Sequence, residues 1–274
     1  MKHYAIIGYP LGHTFSPAMH NHAFKHYGID AVYEPRSIPP EGFEKGLQQL
    51  RDDGIRGFNI TIPYKQRILS HLQKLDTLAE KIGAVNTVVC REDGRWIGYN
   101  TDAYGFLLPL REMLKNIRNI LVLGAGGAAR AVAFSLVTEA APASLTLVNR
   151  TPGRARELKS ALEEHTAVPI KCYDSASFKS DIKYDLIVNT TSVGMGRMRG
   201  ESPLPGLASC VHEGSLVYDL IYNPSPTRLL EQAAALHLKT LNGLPMLIGQ
   251  GSRAFYLWNG LYFPEDVGNI FSTA

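Results

Sequence analysis

The stretch NILVLGAGGAARAVAFSLV, residues 119–137, decides the fold. NILVLG (119–124) is an unbroken apolar run, the pattern of a strand buried on both faces of a parallel sheet. GAGGAA (124–129) fits G-x-G-x-x-G/A, with Ala129 in the last place, and it opens an apolar helix over 127–139. Gly124 permits the tight turn, Gly126 lets the backbone approach a pyrophosphate, and Ala129 keeps helix and strand close. The helix N-terminus offers free N–H groups and a partial positive charge to the phosphates. Residues 120–137 have nearly the length of a membrane span, but Arg130 and the glycine cluster in their middle point to strand, turn and helix instead.

Working outward, the same rhythm continues. A helix over about 103–115 precedes the turn. Strand SLTLVN (144–149), helix 152–164, strands VPIKCY (168–173), YDLIVNTT (184–191) and SLVYDLIY (215–222), and helix 226–237 follow. Such alternation predicts an α/β fold with a Rossmann-type doubly wound parallel sheet. The strand after the turn ends in Asn149-Arg150-Thr151, with Arg154 close behind. A site for the unphosphorylated dinucleotide usually carries an acid there, whereas guanidinium forks suit a 2′-phosphate, so NADP(H) is the expected cofactor.

Upstream, a separate α/β region is expected. HYAIIG (3–8), AVYEPRSI (31–38) and GFNITIP (57–63) read as strands. A helix over 17–27 has Ser16 as N-cap and Pro17 in its first position, and 40–51 reads as an amphipathic helix. VNTVVC (85–90) and RWIGYN (95–100) flank Glu92-Asp93-Gly94, a hairpin signal. The tail reads as helices over about 245–259 and 264–271.

Composition excludes several classes. With 45% hydrophobic and 19% charged residues in 274, the chain has ample material for a core. A net charge of +3, without a basic block, gives no support to nucleic-acid binding. Cys90, Cys172 and Cys210 are odd in number and widely spaced, with no CxxC, so neither a disulfide framework nor a structural zinc site is expected. Reduced thiols and the absence of a signal-peptide pattern in MKHYAIIGYPLGH predict a cytoplasmic protein without membrane association. His13, His20, His22 and His26 crowd one segment, but no acidic partner stands nearby at a suggestive spacing, and no metal is predicted. The sequence fixes no oligomeric state; a homodimer is compatible with it.

Polar residues gather at strand ends and turns of the first hundred residues: Thr14, Ser16, Asn59, Thr61, Lys65, Asn86, Thr101 and Asp102. In their segments the chain resembles the shikimate dehydrogenase family. GYPLGHTFSPAMHN (8–21), NITIPYK (59–65), GAVNT (83–87), GYNTD (98–102), GAGGAAR (124–130), NRT (149–151), NTTSVGM (189–195), YDLIYNP (218–224) and GLPMLIGQ (243–250) look like its motifs, in its order. The resemblance spans nearly the whole chain. It implies NADPH-dependent reversible reduction of 3-dehydroshikimate to shikimate, in aromatic amino-acid (chorismate) biosynthesis. It also implies a substrate domain formed by 1–102 with 238–274, and an NADP-binding Rossmann domain over 103–237.

By the same resemblance Lys65 and Asp102 would be the catalytic pair, and Thr14 and Ser16 would bind the substrate carboxylate. Asn59, Thr61, Asn86, Tyr222 and Gln250 would contact its hydroxyls or carboxylate. Gly124, Gly126, Gly127 and Ala128 would hold the pyrophosphate, and Asn149, Arg150, Thr151 and Arg154 the adenosine phosphate. Thr190, Ser192 and Met195 would sit near the ribose and nicotinamide. Thr14 stands where many members have Ser; its added methyl narrows the pocket, so a quinate/shikimate dehydrogenase remains the nearest rival. A non-catalytic NADP(H)-binding sensor is a second.

The chemistry can be argued from the residues themselves. Reducing a ketone needs a hydride on one face and a proton for the developing alkoxide, and an ammonium within reach supplies the proton. A carboxylate ~4 Å away is worth on the order of 4 kcal/mol at an effective dielectric of 20 and favours the charged lysine. Lys65 is therefore expected to act as a cationic acid in reduction, and oxidation to quicken as pH rises.

Overall fold

The computed structural model describes residues 1–12 and 14–272. The chain forms two compact units, Met1–Gly105 with Leu247–Ala274, and Phe106–Met246. In the first unit β1 (Lys2–Gly8) is followed by α1 (Ser16–His26), β2 (Ala31–Ser37), α2 (Phe43–Asp52), β3 (Gly57–Ile60), β4 (Lys74–Leu75), α3 (Thr77–Ile82), β5 (Thr87–Cys90) and β6 (Trp96–Tyr99). The strands lie in the order β2-β1-β3-β5-β6-β4. β1 runs parallel to β2 and β3, β5 runs antiparallel to β3 and β6, and β4 runs parallel to β6.

β1 shows why this sheet is covered on both faces. Successive side chains of a strand point to opposite sides. Ala5 and Ile7 pack with Phe43, Leu47 and Leu50 of α2. Tyr4 and Ile6 pack with Ala23 and Phe24 of α1 and with Phe255 of the C-terminal helix, Leu244–Asn259. Trp258 of that helix meets Tyr4 in a tilted ring contact at 5.0 Å and donates its indole N–H to the Val88 carbonyl at 2.9 Å.

In the second unit α4 (Asp102–Leu107), which begins at the end of the first, leads through short 3₁₀ turns to β7 (Asn119–Leu123). α5 (Gly127–Glu139), β8 (Ser144–Asn149), α6 (Pro152–Glu163), β9 (Ile170–Asp174), β10 (Leu186–Asn189), α7 (Leu207–Cys210), β11 (Leu216–Asp219), α8 (Arg228–Ala235) and β12 (Lys239–Leu241) complete it. All its strands are parallel, in the order β12-β11-β10-β7-β8-β9. The expected Rossmann-type sheet is therefore present. Ile120, Leu121, Val122 and Leu123 are all buried, as a strand covered on both faces requires. The order reverses between β7 and β10, where open sheets of this kind bind ligands.

Several expected elements differ. The helix over 103–115 stops at Leu107, because Pro109 brings no N–H to continue it; 3₁₀ turns at Leu108–Leu110 and Leu114–Asn116 follow. The last segment is a 3₁₀ helix, Glu265–Ser272, with Gly268 in its middle. Ser16 opens α1 rather than capping it; Phe15 is the cap residue, and the Thr14 hydroxyl accepts the Ser16 N–H at 3.3 Å. No helix among the described residues is long and apolar enough to cross a membrane.

Candidate active site

The first unit brings Asn59, Asn86 and Gln250 together with Lys65 and Asp102 in one hydrogen-bonded cluster. Lys65 lies on the turn that follows β3, where its carbonyl accepts from the Val85 N–H at 2.8 Å. Asp102 is the first residue of α4, just past β6. Across that span Lys65 Nζ donates to Asp102 Oδ2 at 2.6 Å, with side-chain exposures of only 14% and 7%. So short a contact with little water around it is a strong charge-assisted hydrogen bond.

The other carboxylate oxygen is held as well. Asn86 Nδ2 donates to Asp102 Oδ1 at 2.9 Å, and it also faces Thr101 Oγ1 at 2.9 Å and Gln250 Oε1 at 3.3 Å. Gln250 is in turn tied through Nε2 to the Leu247 carbonyl at 2.9 Å. Asn59 is buried, receives the Tyr33 hydroxyl at 2.7 Å and donates to the Asn86 carbonyl and to Thr87 Oγ1. Thr14 donates to Ser16 Oγ at 3.3 Å, which makes a pair of adjacent hydroxyls. The half-buried Thr61 lies beside Gly8, whose missing side chain leaves room for the Thr61 methyl. Tyr222 is half-buried in the second unit, not in the first.

The second unit carries the dinucleotide turn at its switch point. Gly124 has φ +113°, a left-handed conformation that a side chain would strain. A side chain there would also collide with Thr190, whose hydroxyl donates to the Leu123 carbonyl at 2.7 Å. Around Gly126 there is open space, and α5 begins at Gly127 with no acidic residue in its first turn and no side chain capping it. Ala128 follows within that first turn. These free N–H groups and the clear approach suit a pyrophosphate.

At the end of β8 Arg150 and Arg154 are exposed, and the first turn of α6 holds no acid. Two exposed guanidinium groups, with no carboxylate paired to either among the described residues, suit a 2′-phosphate. Asn149 Nδ2 is used within the turn, on the Thr151 carbonyl at 2.9 Å. Ser192 and Met195 are exposed on the loop after β10. That loop is anchored from below: Asp219, fully buried at the end of β11, accepts from Asn189 Nδ2 at 2.9 Å, Thr227 Oγ1 at 2.6 Å and the Ile221 N–H at 3.0 Å. Asn189 Oδ1 then receives both the N–H and the hydroxyl of Thr191. Burial raises the Asp219 carboxyl above the usual range, against the pull of these donors.

Tyr33, Thr87, Asn189 and Asp219 were not signalled as site residues by sequence. An aromatic or threonine in a strand reads as packing, and nothing local marks its hydroxyl as bonded. Of the clustered histidines, His20 is fully buried, His22 meets Asp266 at 3.0 Å, and His13 lies outside the described residues. Among the described residues no group of three or more metal-ligating side chains converges.

A buried lysine–carboxylate pair and a Gly-rich turn at the switch point of a doubly wound sheet define a nicotinamide-dependent oxidoreductase. The comparisons with known proteins narrow this. Residues 6–88 match the model of the shikimate dehydrogenase substrate binding domain. The NADP⁺ shikimate dehydrogenase of Caldanaerobacter subterraneus subsp. tengcongensis is 41% identical over 97% of this chain and 94% of its own. That of Rhodospirillum rubrum is 44% identical over 93% and 91%. The crystal structure of the Thermus thermophilus shikimate 5-dehydrogenase, in complex with NADP(H) and shikimate, is similar at a TM-score of 0.83 and 40% identity, covering 97% of each chain. The chain belongs to the shikimate dehydrogenase family.

Proposed function

We propose that the protein reversibly reduces 3-dehydroshikimate to shikimate with NADPH, with Lys65 and Asp102 as its proton-handling pair. The observation that carries this is the 2.6 Å Lys65–Asp102 contact, nearly closed to water and embedded in neutral donors. In this reading the first unit binds substrate and the second binds NADP(H). Bound NADPH supplies the hydride.

The chain's own residues supply the rest. The Lys65 ammonium faces the carbonyl oxygen, stabilises its developing charge and gives it a proton. Asp102 keeps the ammonium charged and aimed. In the reverse direction Lys65 must first shed its proton, so oxidation gains rate as pH rises. Thr14 and Ser16 offer two hydroxyls to a carboxylate, and Gln250 and Thr61 offer polar groups to ring hydroxyls. Arg150 and Arg154 receive the 2′-phosphate. The thiols of Cys90, Cys172 and Cys210 are unbridged, which suits a reducing cytoplasm.

The test is the initial rate of absorbance gain at the reduced-nicotinamide band, with shikimate as substrate and NADP⁺ or NAD⁺ as acceptor. A fast NADP⁺-dependent rate is expected. Lys65→Ala should lower kcat by about 10²–10⁴-fold, the usual worth of a positioned acid or base. A folded wild-type sample with no rate on either acceptor, or a Lys65→Ala variant with full turnover, overturns the reading. Quinate run in parallel reads the effect of the Thr14 methyl on specificity.

A further inference from the structure

We propose that Tyr33 and Thr87 are positioning residues for the Lys65–Asp102 pair: they head a one-way chain of hydrogen-bond donors that ends on the Asp102 carboxylate. The proposal rests on the reading of Lys65 and Asp102 as the proton-handling pair. Tyr33 is 1% exposed and Thr87 fully buried, so any influence they have on the reaction passes through other residues.

The sense of the chain follows from groups that can act in only one way. The Asn86 backbone carbonyl can only accept, and it lies 3.1 Å from one end of the Asn59 amide, which makes that end Nδ2. The other end, Oδ1, must then receive the Tyr33 hydroxyl at 2.7 Å. Asn59 Nδ2 also reaches Thr87 Oγ1 at 2.9 Å, so the Thr87 oxygen accepts there and its own proton points onward. Its partners are Thr101 Oγ1 at 3.0 Å and Asn86 Oδ1 at 3.3 Å.

The Thr101 backbone N–H can only donate, and it meets the Asn86 side chain at 2.7 Å, which identifies Oδ1. Asn86 therefore turns Nδ2 toward Asp102, whose Oδ1 it reaches at 2.9 Å. Each link polarises the next, and a buried network of this kind depends on all its members being satisfied. The result is a carboxylate with a neutral donor on one oxygen and the Lys65 ammonium on the other.

The groups around Asp102 make the pH profile a clean readout. Lys65 is its bonded cation; Asn86 from beside β5, Thr101 on its own segment and Gln250 from the C-terminal helix are neutral. Burial holds the Tyr33 phenol well above its usual range, so it stays a donor.

The experiment compares Tyr33→Phe, Thr87→Val and Thr87→Ser with wild type in shikimate oxidation, with kcat per NADP⁺-binding site so that unfolded protein does not count. Tyr33→Phe and Thr87→Val should lower kcat roughly three- to tenfold, the rate equivalent of one buried neutral hydrogen bond. KM for shikimate should change little, and Thr87→Ser should restore the rate. With a weaker donor on Asp102, the carboxylate holds the Lys65 proton more firmly. The pH of half-maximal kcat should then move upward by a few tenths of a unit. A profile that superimposes on wild type in both variants overturns the proposal, whatever the rate. Lys65→Ala is measured beside them: if it stays active the underlying reading fails, and if it is inactive while the profiles superimpose only the positioning roles fail.

Discussion

His20 shows how much one side chain can decide away from the chemistry. It is fully buried, stacked on Tyr33 at 4.3 Å and edged by Phe263, and neither ring nitrogen has a hydrogen-bond partner among the described residues. Burial lowers its pKa from 6.5 to about 3. Because the folded value is depressed, the folded state binds fewer protons than the unfolded one between these two values. The stability is therefore fully present above pH 6.5 and is lost progressively toward pH 3, at about 1.4 kcal/mol per pH unit. Urea midpoints at pH 7, 5 and 4 should fall steeply for wild type and less for His20→Phe. The phenyl ring also removes an unsatisfied polar group, so the variant should be about 1 kcal/mol more stable at pH 7. Parallel midpoint curves for the two proteins would refute the assignment. The sequence displayed His20 as one of four clustered histidines and offered nothing to separate it from the exposed His22 and His26. Residue types at strand ends and turns singled out Lys65, Asp102 and Asn86, whereas Gln250 was named only through the family resemblance. Tyr33 and Thr87 stayed hidden because their bonds to Asn59 span 26 and 28 positions, a relation that local pattern does not encode.

Among elements, the C-terminal helix depends on a single vacancy in β3. Gly57 pairs with Tyr4 on β1 and Val89 on β5, and a Cβ at this position would sit inside the Trp258 indole. The indole N–H reaches Val88 only because that space is empty. Gly57→Ala should cost about 2–3 kcal/mol through overpacking, read as a lower thermal midpoint, and Trp258→Phe in the same chain should recover part of it. An unchanged midpoint for Gly57→Ala would mean that the helix shifts freely on the sheet. Strands and helices with a strong apolar run or period, such as β1, β7, β8, α5 and α6, were legible from sequence. What escaped were short pieces whose existence is tertiary. β4 and β12 have two and three residues and exist because a neighbouring strand accepts them. α3 was also missed, although Asp76 caps it by accepting the Ala79 N–H at 2.9 Å and Gly83 ends it in the left-handed conformation. A six-residue helix rests on such caps more than on a hydrophobic stripe.

At the scale of the whole molecule, the two units are connected differently along the chain, and this sets a test of which ligand each one holds. The second unit is continuous: its sheet runs from Asn119 to Leu241, and its core cluster around Leu121, Leu123 and Ile187 ends at Leu238. The first unit is not. Its cluster of Tyr4, Ile6, Ala23, Phe24 and Tyr33 closes on Phe255, with Trp258 and Phe263 packed against it. A chain ending at residue 246 would lack Phe255, Trp258 and Phe263, uncover the rest of that cluster and remove Gln250 from the Asn86 amide. Losing three large aromatic side chains from one core forfeits on the order of 9 kcal/mol or more, comparable to the whole stability of a domain. The shortened chain should therefore lose protected amides throughout β1 and β2 in hydrogen exchange and bind no shikimate. It should still bind NADP⁺ in calorimetry, because the turn at Gly124–Ala128 and the guanidinium groups of Arg150 and Arg154 lie wholly within the second unit. Adding Arg150→Ala to the shortened chain should then weaken NADP⁺ and leave NAD⁺ nearly unchanged, since only NADP⁺ carries the 2′-phosphate. Shikimate binding by the shortened chain would contradict the assignment of substrate to the first unit. An equal loss of affinity for both dinucleotides in the Arg150→Ala chain would contradict the assignment of the phosphate to Arg150.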